Sequence, residues 1–413
     1  MHDLKRLVDS SLLQRNADGR YDMHPLLQRY AAGRLRQASG IPEDMGPEEA
    51  TDAAREASER HCAYYVAALE RWAADLHGPQ EAEALAALLA DTGNARAAWD
   101  WAIEKRQIGR LDRALAGICT CYFRQGRFQE GQDLCAATAG LLGAMSSAGK
   151  DPSAPRQPRS LAHAHVSARP DRLRIKVLAW QATFCRLMEQ TEQAETLLQQ
   201  SLDLLEGAEL AGHDTRAERA LVLRQAGALA GDEDRKRARQ YHQESLALYR
   251  DLDDLPGAAE VLIHLGWLYR YTGAYERGRR AFVESLTIWQ GQGSRMGLSE
   301  AYWGLCGSAL RQGRMDEAER LVRQSAAAYP DEGDPLGSTI RRHHLGETLV
   351  DVGKPAEGRA ILKECLSLFQ ELGVAAGIAW GKVTLGRASL HLGYYPHAQA
   401  MGEEGLRLWR ELD

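Results

Sequence analysis

A chain of 413 residues that is 44% hydrophobic and 26% charged holds enough apolar material for a large buried core and is too long for one small domain. Its 51 basic and 57 acidic residues leave a net charge of −6, so there is no overall pull toward nucleic acid or an anionic membrane, and direct nucleic-acid binding is not expected. No apolar run reaches membrane-span length, the first ten residues lack the apolar core of a signal peptide, and seven cysteines without C-x-x-C spacing fit reduced thiols; the expected location is cytoplasmic.

The stretch LKRLVDSSLLQRNADGRYDMHPLLQRYAAGRL reads as a helix, a polar turn at Asn16 to Gly19, a short strand ending near His24, and a second helix from Pro25. Pro25 has no N–H to lose and a φ already suited to a first helical turn, which sets His24 at the positive end of a helix dipole, where anions are favoured. The succession Leu-Leu, Tyr-x-Met-His-x-Leu, Tyr-Ala resembles the end of the winged-helix domain in NB-ARC-type signal-transduction ATPases, the STAND class, so residues 1–38 are assigned as a winged-helix remnant. The resemblance implies that His24 contacts the β-phosphate of bound ADP in the intact protein; Pro25 stands where that family has Asp. Neither G-x-x-x-x-G-K-[ST] nor an acidic strand end for magnesium is found. ATP or ADP is therefore assigned to an upstream NTPase domain outside these residues, and the chain is expected to be the C-terminal portion of such an ATPase or a remnant of one.

Residues 39–107 follow as a helical connector: ERHCAYYVAALERWAADL and NARAAWDWAIEKRQ are amphipathic at helical spacing and resemble the segment that joins the winged helix to a repeat sensor in that class. Residues 108–143 form a first hairpin, in which Gly126 and Gly131 of CYFRQGRFQEGQDLC keep a spacing repeated downstream. Residues 144–171 are rich in Pro, Ser and Ala, have no apolar periodicity, and read as a flexible insertion.

From 172 to 413 the sequence repeats itself. Gly257, Gly297, Gly337 and Gly377 lie 40 residues apart, as do Leu265, Leu305, Leu345 and Leu385, Gly273, Gly313, Gly353 and Gly393, and the aromatic column Trp289, Tyr329, Phe369 and Trp409. Each unit is two amphipathic helices joined at a glycine turn, and a hairpin of that kind buries its apolar stripe only by stacking on its neighbours. Leu265-Gly266, Tyr269, Gly273, Tyr275, Gly278 and Phe282 resemble the tetratricopeptide repeat (TPR) signature, although the period is 40 residues here against about 34 in that family. The expected fold is all-α: a TPR-like α-solenoid, a right-handed superhelix of hairpins, with at least five hairpins beyond residue 172 and the four leucines buried alike.

In such a solenoid the first helix of each hairpin lines a concave groove. Its inward positions supply Arg124, Arg186, Glu260, Trp267, Arg270, Tyr271, Trp303, Arg311, His343, Arg387 and His391. Arginines beside aromatic rings suit a carboxylate or phosphate clamped by the guanidinium, with an apolar part stacked alongside. No nucleophile elbow and no metal-ligand spacing is found, because His343-His344 has no ligand partner at i+4, so no catalytic or metal site is assigned and an enzyme is not expected. The functional expectation is a regulatory sensor that takes a peptide, protein or small anionic effector in the groove and couples it to a nucleotide switch. The alternative is a free-standing TPR adaptor.

Overall fold

The computed structural model describes residues 10, 12–15, 21–22, 52–148, 161–231, 234–329 and 334–412. Near the N-terminus these comprise an antiparallel ladder of β1 (Gln14–Arg15) and β2 (Tyr21–Asp22), with Gln14 opposite Asp22 and Arg15 opposite Tyr21. The strand expected near Tyr21 is thus present, whereas His24 and the helix expected from Pro25 lie outside the described residues.

Everything described beyond residue 51 is helix and short connections. The connector consists of α1 (Asp52–Asp75), α2 (Glu81–Ala90) and α3 (Thr92–Glu104). Seven hairpins follow: α4 (Ile108–Arg124) with α5 (Phe128–Ala148), α6 (Leu161–Leu187) with α7 (Thr191–Glu206), α8 (Arg216–Ala230) with α9 (Arg235–Asp251), α10 (Leu255–Tyr271) with α11 (Tyr275–Gln292), α12 (Arg295–Arg311) with α13 (Met315–Ala328), α14 (Pro335–Asp351) with α15 (Pro355–Glu371), and α16 (Ala375–His391) with α17 (Tyr395–Leu412). The fold is a TPR-like α-solenoid. The segment read as a flexible insertion needs correction at both ends, since α5 continues to Ala148 and α6 begins at Leu161; only 149–160 lies outside the described residues. Composition hid these ends because Ala and Leu extend the helices through Ser-rich and Pro-containing sequence, Pro170 included.

The repeated columns have distinct physical jobs. Gly273, Gly313, Gly353 and Gly393 close the first helix of their hairpins at φ of 78°, 72°, 86° and 79°, in the left-handed region that penalises a side chain. The Gly257 column has a different task. Added Cβ atoms at Gly257, Gly297, Gly337 and Gly377 would stand 2.6, 2.3, 2.2 and 2.6 Å from Tyr249, Trp289, Tyr329 and Phe369, so each glycine is the slot into which the ring of the preceding hairpin fits. A buried hydroxyl column accompanies them: Ser245, Ser285 and Ser325, also 40 apart, donate to the carbonyls of Ala220, Ala259 and Ser299 at 2.8–2.9 Å, tying the two helices of one hairpin together. Leu265, Leu305 and Leu385 are buried, but Leu345 is half-buried and packs against the cluster of Cys306, Ala309, Ala318 and Val322, so the equivalence expected of this column holds for three of its four members.

The connector is part of the solenoid's core. Cys62, Leu69, Trp72, Leu85 and Trp99 share one apolar cluster with the first hairpins and with Met296 and Tyr329 far downstream. Helix α1 approaches α4 so closely at Gly117 that a Cβ there would lie 2.6 Å from the Leu69 carbonyl oxygen. Glu59 accepts from Trp101 Nε1 at 3.1 Å and pairs with Arg110 at 2.7 Å, joining α1, α3 and α4. All seven cysteines are free and buried.

Candidate functional site: an arginine-walled chamber in the concave face

Stacking places the first helices of successive hairpins side by side, and together they line a partly open chamber of about 470 Å³. Helix α4 contributes Phe123 and Arg124, α6 Trp180 and Arg186, α8 Arg224, α10 Glu260, Ile263 and His264, α12 Met296 and Glu300, and α14 Arg341; the turn after α1 supplies Leu76 and His77, and the hairpin ends supply Trp289 and Tyr329. Four arginines and two glutamates lie on this wall.

The charges are not equivalent. Arg224 pairs with Glu260 and Arg341 with Glu300, each pair stapling one first helix to the next. Arg124 forms a long ion pair with Asp334 at 3.8 Å, and its Nε–H is buried with no hydrogen-bond partner, as is that of Arg224. The rings on the wall are held neutral. Burial, reinforced by His242 and Arg224, holds His264 well below the usual histidine range, and burial likewise lowers His77. His242 stacks on His264 at 5.1 Å, and burial brings it to about 4. The positive charge on the wall is therefore carried by guanidinium, set beside the apolar surfaces of Trp180, Ile263 and Met296.

One side of the chamber is built by a contact between distant parts of the chain. The corner between α1 and α2 reaches the junction of α11 and α12: His77 stacks on Trp289 (5.9 Å, 16°), Pro79 packs against Gly293, and the buried Glu81 carboxylate accepts from Ser294 Oγ at 2.8 Å and from the Met296 N–H at 2.7 Å. Ser294 Oγ in turn accepts from the Gly297 N–H at 3.1 Å. Burial pushes the Glu81 carboxyl up, against the hydrogen bonds from Ser294, Met296 and Arg295 that lower it.

Below the chamber the concave face continues as a ladder of rings. Trp267 and Trp303 lie 6.2 Å apart, Trp303 stacks on His344 at 3.9 Å, and His344 meets Trp380 at 5.0 Å. Arg270 lies over both Trp267 and Tyr271 at 4.6 Å. Arg387 pairs with Glu347 at 3.0 Å and Asp351 at 3.4 Å.

Of the residues named from sequence, Arg124, Arg186 and Glu260 meet in the chamber, and Trp267, Arg270, Tyr271 and Trp303 meet on the ladder. His343 is corrected: it is fully buried, donating or accepting at Thr384 Oγ1 (2.8 Å) and packing on Trp380, and the groove ring is its neighbour His344. Arg311 and His391 stand at the exposed C-terminal ends of α12 and α16, away from the chamber wall, and Arg387 is engaged by carboxylates. Sequence reasoning missed Arg224, Arg341, His77 and Glu81. A signal for Glu81's partner existed: in the column Asp254, Ser294, Asp334, Val374, serine interrupts two aspartates that cap their own helices.

No protein-family model matches the chain, and no curated protein does. Solved structures do. One is a signal transduction ATPase with numerous domains carrying a tetratricopeptide repeat sensor, from Pyrococcus horikoshii, at 14% identity over 98% of this chain, with a TM-score of 0.49; the chain spans 58% of that protein's length. A Rap protein complexed with competence and sporulation factor is 9% identical over 70% of this chain and 98% of its own, with a TM-score of 0.45. The apo quorum sensor NprR of B. thuringiensis is 11% identical over 78% of this chain and 99% of its own, with a TM-score of 0.44.

Proposed function

We propose that the chain is a regulatory sensor whose chamber binds a small organic anion, a carboxylate or phosphate on an apolar ring. The observation that carries this reading is the convergence of four guanidinium groups and an apolar wall on one 470 Å³ space that the connector helps to build. Arg124 and Arg186 would clamp the anion and Trp180 would carry the ring, an arrangement that suits charge-assisted contacts in a desolvated site. Because the connector corner is itself part of the wall, occupancy would change what the connector feels, and the resemblance of Tyr21 to Leu35 to a winged-helix terminus suggests a nucleotide switch, using ATP or ADP in an upstream domain, as the output. The test is calorimetry with phenyl phosphate as the probe. A saturable heat in the wild type that weakens at least about tenfold in the Arg124→Ala, Arg186→Ala double variant supports the reading; no saturable heat up to about 10 mM overturns it.

A second reading is favoured by the ladder. Tyr271 is 59% exposed with Arg270 stacked on it, a surface suited to a peptide or protein side chain, and that would make the module an adaptor. A Tyr271→Ala, Trp303→Ala variant that loses a protein partner while keeping the phenyl phosphate heat would support it.

A further inference from the structure

The α12 N-terminus is capped differently from its repeat neighbours. Helices α10 and α14 begin after Asp254 and Asp334, whose carboxylates accept from Gly257 N–H at 2.9 Å and Gly337 N–H at 2.8 Å. At the same column α12 has Ser294, and the missing carboxylate arrives from Glu81, 213 residues away. The ring column changes at the same junction: Tyr249 and Tyr329 flank it, and Tyr329 donates its hydroxyl to Asp334 at 2.7 Å, whereas α11 carries Trp289, which has no hydroxyl and stacks on His77 instead. Both departures meet at the junction of α11 and α12, and both are complemented by one corner of the connector.

We infer that the α1–α2 corner is a releasable latch, seated in the α11–α12 junction by Glu81, that holds the arc of the solenoid closed around the chamber. The inference rests on the reading of the chamber as the effector site, because the latch would then set access to it. Release costs α12 little of its own cap, since Ser294 stays to accept from Gly297. It also returns a buried carboxylate to water, which offsets part of the lost hydrogen bonding. A latch needs those two properties: a specific seat and a tolerable released state.

Hydrogen–deuterium exchange on the full chain tests it. Ser294→Asp gives α12 the cap its neighbours already use and sets a carboxylate against Glu81. The latch requires amides of 73–84 to exchange at least about tenfold faster in this variant, with α14 to α17 unchanged, and the double variant Glu81→Gln, Ser294→Asp to restore slow exchange. Glu81→Ala, which leaves Ser294 in place, should also speed exchange in 73–84. If exchange there stays within about twofold in both single variants, the latch is overturned. Phenyl phosphate calorimetry is run on the same samples. Wild type that shows no heat while exchange behaves as required sinks the effector reading and leaves the latch; normal heat with unchanged exchange sinks the latch and leaves the effector reading.

Discussion

Glu81 Oε1 accepts the backbone N–H of Met296 at 2.7 Å across 215 residues of sequence, and with this bond the connector becomes part of the fifth hairpin's helix terminus. Such a contact fixes curvature. Each repeat adds a small rotation, and one clasp between the start of the array and its fifth hairpin constrains their sum.

Removing that carboxylate should be measurable in stability as well as exchange. Glu81→Ala leaves the Met296 N–H and the Ser294 hydroxyl without their acceptor, a loss of about 1–3 kcal/mol. Thermal melting followed by circular dichroism should show a drop of a few degrees; an unchanged midpoint would mean that the bond contributes nothing net.

The ring slots make a sharper steric prediction. Gly297→Ala puts a Cβ 2.3 Å from the Trp289 ring, so the variant should lose about 1–3 kcal/mol and loosen the same junction. Gly291→Ala, on α11 with nothing within 4 Å of its Cβ, should be neutral or stabilising by about 0.4–1 kcal/mol. Chemical denaturation of the pair checks the contrast, and equal effects would refute the slot.

Those slots and hairpins were legible in the sequence because they are local and recur every 40 residues: a turn glycine, a small residue and a ring at constant offsets specify one hairpin, and stacking copies it. The chamber was half legible. Arg124, Arg186 and Glu260 follow from the phase of the first helices, but His343 and His344 differ by 100° on a helix packed on several sides, and the pattern does not say which turns inward. Arg311 and His391 are the last residues of α12 and α16 and are exposed there. The latch was not legible, because its two halves meet only once the curvature of several repeats has been summed.

Acid should destabilise the protein through its buried histidines. Burial lowers His343 to about 3 and His242 to about 4, and also lowers His264, His344 and His77. Their folded values lie below the unfolded value of about 6.5, so the stability they lend is complete above that pH and is lost as pH falls toward the folded values. For His343, fully buried, the loss between pH 7 and pH 5 is about 2 kcal/mol. Glu81 and Asp351, both raised, act with the opposite sign, losing stability as pH rises, but over a lower window starting near the ordinary carboxylate range. Melting midpoints should therefore fall from pH 7 to pH 5, and His343→Gln should flatten the slope; a flat wild-type profile would show that these rings accept protons in the fold.

On the ladder, Arg270→Ala removes a guanidinium stacked on two rings and should cost about 0.5–2 kcal/mol, whereas Arg311→Ala, exposed at a helix end, should stay within about 0.5 kcal/mol. Urea denaturation of the two single variants checks this, and a larger loss at Arg311 would contradict the placement of both residues.

The chamber is tested most directly by observing its arginines. In protein labelled with ¹⁵N at arginine, the Nε–H signals, assigned by single substitution, can be followed during titration with phenyl phosphate. The account predicts saturable shifts at Arg124 and Arg186, with Arg311 and Arg387 unmoved. Shifts confined to Arg270 and Arg387, or none at Arg124 and Arg186 up to about 10 mM, would contradict it.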